Sequence, residues 1–204
     1  MRRRMAHGAL LGLTLAFSVA VQAVEEPQQL VQSTSDQVLA RLKKDHDKLQ
    51  QNPDLIYPLV EDLVLPHFDF TKMSQWVLAV NWRSASDDQK ARFTEQFRTL
   101  LVRTYAKALL EYTDQKINYL PFHAESDAKT VIVRTEIVQP GGQNIPVYYS
   151  LYRKGDAWKV YDISIDGASL VNNYRTSFAE EIRQGGLDKL IASLAEKNSC
   201  KAKP

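Results

Sequence analysis

Residues 157–178 read AWKVYDISIDGASLVNNYRTSF. Apolar residues alternate over 157–165, which predicts a β-strand. The two strand faces carry Tyr161, Ile163 and Ile165 on one side and Trp158 and Val160 on the other. The Asp166-Gly167 pair is a turn signal, and Ser169 is a suitable helix N-cap. The segment therefore predicts a strand that leads through a tight turn into a helix.

Three further apolar runs precede this strand and predict the rest of a sheet. They span residues 116–123, 130–139 and 145–153. Pro140-Gly141-Gly142 separates the last two runs, and Lys154-Gly155-Asp156 separates 145–153 from the opening strand. Short turns of this composition join antiparallel neighbours. The pattern predicts a meander of about four strands.

Helical periodicity dominates the rest of the chain. Four helices are predicted before the sheet, over residues 27–50, from Pro53 to before Pro66, around Met73–Val80, and over 87–112. The last of them begins with Ser86 and Gln89 in the spacing of a capping box. After Ser169 two helices are predicted, with Gly185-Gly186 ending the first. The fold class is therefore α+β, with helices against one face of an antiparallel sheet.

The N-terminus has the layout of a cleaved secretory signal. Three arginines precede an apolar run that is shorter than the roughly 20 residues of a membrane span. We predict a signal peptide over residues 1–23, one domain over 24–198 and a polar tail over 199–204. The formal net charge of +2 falls when the arginines of the signal leave, so no nucleic-acid partner is expected.

The opening segment also contains a calcium-like pattern, Asp162-x-Ser164-x-Asp166-Gly167. A calcium loop needs a bidentate glutamate at its twelfth position, and that position is Asn173. The four histidines lack zinc-site spacing, and the single cysteine, Cys200, lies in the tail. We therefore predict no metal site and no cofactor.

Asp162 and Asp166 remain as a candidate acid/base pair. Their even spacing puts both on the strand face opposite Tyr161, whereas a catalytic pair has to face its substrate. The simpler interpretation is that Asp166 closes the turn and that Asp162 is solvated or pairs with a base. The residues alone leave three possibilities: an apolar container, an enzyme on an apolar substrate, and a docking module with a filled core.

Two long patterns resemble the MlaC family. The upstream pattern lies within residues 64–106 and the downstream pattern within residues 158–178, and the resemblance covers about residues 28–195. The upstream residues are Val64-Leu65-Pro66, Asp69, Met73, Val77-Leu78, Trp82-Arg83, Ala85, Gln89, Phe93, Phe97, Leu100-Leu101 and Thr104-Tyr105-Ala106. The downstream residues are Trp158, Val160, Asp162, Ile165-Asp166-Gly167, Ser169-Leu170-Val171, Asn173-Tyr174-Arg175 and Phe178. One departure is Ala79, where members of the family often have glycine.

The resemblance implies a twisted antiparallel sheet of the nuclear-transport-factor-like type, wrapped by helices around an apolar cavity. It implies a periplasmic, non-enzymatic phospholipid carrier that shuttles lipid between the two membranes and maintains outer-membrane lipid asymmetry. Its implied partners are the phospholipid cargo, an outer-membrane lipoprotein–porin complex and an inner-membrane ABC transporter with a lipid-binding ring. The alternative is an enzyme on the same scaffold acting on an apolar substrate.

Periodicity then selects the inward residues that could form the cavity wall. They are Met73, Trp76, Val77, Val80, Phe97, Leu101, Tyr105, Leu109, Val133, Val147, Tyr149, Leu151, Tyr161, Ile163, Ile165, Val171 and Tyr174. Arg83, Arg134 and Arg175 are candidates for contact with a headgroup phosphate, because arginine binds phosphate in a bidentate manner. Arg175 could equally pair with Asp162 or Asp166.

Overall fold

The computed structural model describes residues 26–111, 116–125, 127–139 and 141–199. The predicted signal peptide lies outside these residues, as do Tyr112, Pro140 and residues 200–204 of the predicted tail, whereas Ser199 belongs to α7. The α-helices of the described part are α1 (Pro27–Lys44), α2 (His46–Gln51), α3 (Ile56–Leu63), α4 (Phe70–Leu78), α5 (Val80–Ser84), α6 (Asp87–Tyr105) and α7 (Leu170–Ser199). Its strands are β1 (Ile117–Tyr119), β2 (Thr130–Ile137), β3 (Ile145–Lys154), β4 (Ala157–Ile165) and β5 (Ala168–Ser169).

The strands form one sheet in chain order, and every neighbouring pair is antiparallel. The α+β class and the meander are confirmed. The fifth strand is the two-residue β5, which pairs with the end of β4 across the turn at Asp166 and Gly167. Both turn residues have positive φ, 50° and 79°. That is the conformation of the tight hairpin turns that match strand twist, so Asp166 closes the turn as predicted.

The start of α6 and the break in α7 lie where the sequence predicts them, whereas α6 ends earlier than predicted. The Ser86 hydroxyl accepts from the Gln89 N–H at 3.1 Å, and the Gln89 side chain accepts from the Ser86 N–H at 3.0 Å. This confirms the predicted capping box of α6. The helix was predicted to reach residue 112, but it ends at Tyr105 and continues as a 3₁₀ segment, Ala106–Glu111. Gly186, with φ 80° and ψ 170°, breaks α7 where the double glycine predicted a break.

Buried apolar residues form three clusters. The first joins α4, α6 and α7, the second joins α1, α2, α3 and the 3₁₀ segment after α6, and the third joins α1 to strands β2, β3 and β4. Phe68 packs against both the first and the third cluster. The apolar interior is thus divided between a helical part and a sheet part.

Helices reach both faces of the sheet. Leu30 and Val31 of α1 pack on the face that carries Val133. Trp76 of α4 stacks on Tyr161, at a ring-centroid distance of 5.9 Å, on the opposite side. The predicted arrangement, with helices against one face only, is therefore corrected: α1 covers one face and α4 lies beside the other.

Candidate functional site

The face of the sheet that α1 covers, called the inner face below, is apolar along three strands. Its residues are Val131, Val133, Thr135, Val147, Tyr149, Leu151, Val160, Ile163 and Ile165. Leu30 and Val31 of α1 pack on it, yet Tyr149 and Ile163, which pair across β3 and β4, stay half-buried. Ile165 is 36% exposed. Helix α1 therefore leaves part of an apolar sheet face uncovered.

A β-bulge determines which residues of β4 share this face. Ser150 pairs with Asp162, whereas its neighbour Leu151 pairs with Val160, so Tyr161 has no partner in β3. The Tyr161 ring lies against Tyr152, at a centroid distance of 6.0 Å, on the outer face of the sheet. The prediction that Tyr161 shares a face with Ile163 and Ile165 is therefore wrong. An inserted residue reverses the alternation beyond it, which brings Val160 to the inner face instead.

Tyrosine hydroxyls next to the apolar interior remain uncharged. Burial raises the pKa of Tyr149 to about 12, with a further upward contribution from Tyr119, and a hydrogen bond with Thr135 opposes the shift. Burial and the neighbouring Tyr174 hydroxyl raise the pKa of Tyr105 to about 12. Since desolvation disfavours the phenolate, these rings present neutral hydroxyls at physiological pH.

The structure divides the predicted wall residues by burial. Eight are fully packed: Met73, Val77, Phe97, Leu101, Val133, Val147, Leu151 and Val171. Six are half-buried: Tyr105, Leu109, Tyr149, Tyr161, Ile163 and Tyr174. Three are exposed: Trp76, Val80 and Ile165. A fully packed side chain touches only protein atoms, so in this conformation only the half-buried and exposed residues have surface left for a ligand.

Val80 does not face inward. It is 77% exposed and belongs to α5, not to the α4 ridge of Met73 and Val77. Ala79, with φ 49° and ψ −115°, ends α4 and redirects the chain. The spacing of three and four residues holds only along one continuous helix, so the predicted inward position of Val80 is wrong.

Asp162 is a helix cap, not a solvated or ion-paired acid as predicted. Its carboxylate accepts from the Val171 N–H at 3.0 Å and from the Ser169 hydroxyl at 2.6 Å. Ser169 in turn accepts from the Asn172 N–H at 3.1 Å, which confirms its predicted capping role. Because Asp162 is engaged at the start of α7 and Asp166 in an exposed turn, the two do not form an acid/base pair.

Asp69 anchors α4 to the sheet, a role that the sequence did not assign. Its carboxylate accepts from the Lys72 N–H at 2.9 Å, from Lys154 Nζ at 2.7 Å and from the Tyr152 hydroxyl. Burial alone raises the pKa of Asp69, but the hydrogen bonds from Lys154, Tyr152 and the Lys72 backbone outweigh it and hold the pKa below its ordinary value. An Asp in front of an apolar helical run is an N-cap signal, but its partners on β3 are not local in sequence.

The family model described as MlaC protein matches residues 32–196. The chain belongs to the MlaC family. It is 32% identical over 185 residues to the toluene tolerance protein ttg2D of Pseudomonas putida, covering 89% of this chain and 86% of that one. It is 28% identical over 189 residues to the intermembrane phospholipid transport system binding protein MlaC of Haemophilus influenzae, covering 90% and 88%.

A solved structure has the same fold as this MlaC-family chain. It is the phospholipid-binding protein from Ralstonia solanacearum in complex with a phospholipid. The TM-score is 0.79 at 33% sequence identity, and the match covers 86% of this chain and 98% of that one. The expected family and fold class are therefore confirmed.

In this MlaC-family chain the three candidate headgroup arginines belong to three different elements, α7, β2 and α5. Arg175 donates from Nε to the Trp76 carbonyl oxygen at 2.8 Å, and its guanidinium lies 5.9 Å from the centre of the Trp76 ring. Arg134 lies over Tyr148 on the outer face, and Arg83 belongs to α5. Arg175 thus stabilises the C-terminal end of α4, where backbone carbonyls lack helical partners, and it pairs with neither Asp162 nor Asp166.

An open cleft of about 600 Å³ lies between α1 and Phe122. Its other lining residues are polar: Glu26, Gln28, Gln29, Gln32, Ser33 and Asp36. Such a lining does not suit acyl chains, which need apolar walls. In the described part of the chain, no helix is long and apolar enough to cross a membrane, and no group of three or more His, Cys, Asp or Glu side chains could hold a metal ion.

Proposed function

We propose that this MlaC-family chain is a periplasmic carrier that holds a phospholipid as cargo between the outer and inner membranes. The observation that carries the proposal is the apolar inner face, which α1 covers only in part around Tyr149 and Ile163. Uncharged tyrosine hydroxyls and half-buried apolar side chains suit acyl chains. The names of the two curated relatives and the phospholipid bound to the solved relative support the same ligand class.

The free energy of transferring a phospholipid between water, a bilayer and the protein favours a container over a catalyst. A diacyl phospholipid has roughly 30 methylenes, each worth about 0.8 kcal/mol against water, so it needs an apolar enclosure to cross an aqueous space. Between a bilayer and such an enclosure the acyl chains exchange one apolar environment for another. Loading and unloading can then proceed without chemistry, and the direction comes from the partners.

The finer parts of the proposal follow from the predicted signal and the family. The signal over residues 1–23 directs the chain to the periplasm. There it meets an outer-membrane lipoprotein–porin complex and an inner-membrane ABC transporter with a lipid-binding ring. The alternative, an enzyme on an apolar substrate, loses the two carboxylates on which it depended, because Asp162 caps α7 and Asp166 closes a turn.

The first test is lipid recovery. Folded protein purified from a bacterial host should release phospholipid in near-stoichiometric amounts on organic extraction, detected by mass spectrometry. Protein that is well folded yet yields no phospholipid, and that takes none up from vesicles, contradicts the proposal.

A matched pair of variants locates the cargo. Ile163→Trp adds bulk to the half-buried inner face, and Ile132→Trp adds the same bulk on the outer face, where Ile132 is 46% exposed. We expect the first variant to carry several-fold less lipid and the second to match the parent protein. If Ile163→Trp fails to fold, Ile163→Phe makes the same test with less added volume. Equal lipid content in the two variants excludes the inner face as the site.

A further inference from the structure

Two of the exposed large apolar side chains lie four residues apart, where α4 meets α5. Trp76 is 46% exposed and Val80 is 77% exposed. We call Trp76, Ala79 and Val80 the α4–α5 corner. Single exposed apolar residues are ordinary, whereas contiguous exposed apolar surface marks interaction sites.

The corner is held in place by several contacts. The Trp76 ring stacks on Tyr161 at 5.9 Å with an interplanar angle of 27°. Its backbone carbonyl accepts from Arg175, whose guanidinium also lies over the ring. The positive φ of Ala79 then turns the chain so that Val80 projects away from the buried α4 ridge. The turn at Ala79 therefore sets the exposure of Val80, and the contacts with Tyr161 and Arg175 hold the Trp76 ring in place.

The chain segments that form and contact the corner carry positive charge. Residues 70–86 contain Lys72 and Arg83 and no acid, although the whole chain has 24 acidic residues. Residues 167–179, which include the start of α7, contain Arg175 and no acid. The nearest acids in sequence are the buried Asp69 and the exposed Asp87, Asp166 and Glu180, which lie outside these segments. Of these cations, Arg175 lies directly over the Trp76 ring, and Lys72 lies over Tyr152, whose ring contacts Tyr161. Cations beside exposed apolar side chains complement an anionic, partly apolar surface.

We infer that the α4–α5 corner contacts the surface of an anionic phospholipid bilayer, an inference that rests on the proposed function as a lipid carrier. Tryptophan prefers the headgroup region, and lysine or arginine beside it is attracted to lipid phosphates. Two apolar side chains are too few for the core of a protein interface of about 800 Å² per partner. They suffice for shallow, reversible attachment, which suits a carrier that has to leave the membrane again.

Vesicle flotation tests the inference with a matched pair of charge variants. The parent protein should float with vesicles of phosphatidylcholine containing about 30% phosphatidylglycerol, less with phosphatidylcholine alone, and less at high salt. Val80→Asp should lower the partition coefficient about tenfold, because the apolar contact is lost and a negative charge is added. Ile132→Asp, which also replaces an exposed β-branched apolar residue with aspartate but on the outer sheet face, should stay within about twofold of the parent. Val80→Ser, which adds no charge, should fall between them.

The same preparations separate this inference from the proposed function. Lipid content is measured by extraction of each variant before flotation. Undiminished cargo in Val80→Asp together with weak flotation supports contact through the corner. A parent protein that carries lipid but does not float, or equal losses in Val80→Asp and Ile132→Asp, overturns the bilayer contact and leaves the carrier function standing. Absence of cargo from all preparations, the parent included, counts against the carrier function itself.

Discussion

The carboxylate of Asp162, in the middle of strand β4, accepts a hydrogen bond from the backbone N–H of Val171, in the first turn of α7, at 3.0 Å. The Ser169 hydroxyl donates to the same carboxylate at 2.6 Å. The first N–H groups of a helix have no partner within the helix, so a strand residue here satisfies a donor of the helix that follows it. Strand β4 thereby fixes where α7 starts against the sheet.

Replacing Asp162 with alanine should lower the free energy of unfolding by about 1–2 kcal/mol, the usual cost of losing an N-cap. Asp162→Asn keeps one acceptor oxygen, so its free energy of unfolding should fall by less. The control is Asp166→Asn, which we expect to be near neutral, because asparagine also tolerates the positive φ found there. Urea unfolding at neutral pH measures all three, and equal stability of Asp162→Ala and Asp166→Asn contradicts the capping role.

Asp69 should make the protein acid-sensitive. Its folded-state pKa lies below its ordinary value, because hydrogen bonds from Lys154, Tyr152 and Lys72 outweigh the effect of burial. A carboxyl group whose pKa is lower in the folded state stabilises the fold, and this stabilisation is complete above its unfolded pKa of about 3.9. That contribution is lost as the pH falls from there through the lower, folded pKa.

Asp69→Asn should therefore be about 2 kcal/mol less stable than the parent at pH near 7, and the gap should narrow progressively as the pH falls below about 4. Unfolding by urea across this range measures the gap. Tyr152→Phe removes one of the donors and should lose roughly 1 kcal/mol at neutral pH. A stability difference that stays constant at all pH values excludes the assigned linkage.

The inner face could be predicted from the sequence where β-strands alternate without interruption. Val133, Tyr149 and Ile163 lie next to one another across the pairing register, as alternation requires. The bulge at Tyr161 could not be predicted in this way, because an extra residue leaves the local composition unchanged while it reverses the faces beyond it. Val80 was mispredicted for a similar reason, because the non-helical φ and ψ of Ala79 end the helical spacing without any signal in the local composition.

The hydrogen-bond partners of the helix caps could not be predicted from the sequence either. Both Asp162 and Asp69 stand before apolar helical runs, but their partners depend on tertiary placement. Asp162 reaches Val171 across the turn and β5, and Asp69 reaches Tyr152 and Lys154 on β3. Local propensity identifies a polar residue near a helix start, whereas the long-range partner follows from strand register. The proposed cargo site similarly depends on what α1 leaves uncovered on the inner face, which periodicity cannot reveal.

Removing either of two fully buried hydroxyls, those of Thr135 and Ser74, should have opposite effects on the stability of the protein. The Thr135 hydroxyl donates to the Val147 carbonyl at 2.9 Å, whereas the Ser74 hydroxyl has no hydrogen-bond partner within the described residues. Thr135→Val should therefore destabilise the protein by about 1 kcal/mol, and Ser74→Ala should be neutral or stabilising by up to about 1 kcal/mol. Thermal unfolding of the two variants beside the parent protein measures both changes in stability. A clear loss of stability in Ser74→Ala indicates that this hydroxyl has a partner after all.

Ala79 holds a backbone conformation that costs energy for any residue with a Cβ atom. Its φ of 49° and ψ of −115° lie in a region that glycine adopts without strain. The alanine therefore carries backbone strain that glycine would not carry. Ala79→Gly should raise the free energy of unfolding by roughly 1 kcal/mol.

The control for Ala79→Gly is Ala91→Gly. Ala91 is exposed inside α6, and loss of helix propensity there should destabilise the protein by about 1 kcal/mol. The two substitutions are chemically identical, so the conformation of each site alone sets the sign. Chemical unfolding of both variants beside the parent gives the comparison. Destabilisation by Ala79→Gly as large as that by Ala91→Gly means that the turn between α4 and α5 is unstrained. Stabilisation by the first alone means that the chain keeps a strained alanine where it presents Trp76 and Val80 to its surroundings.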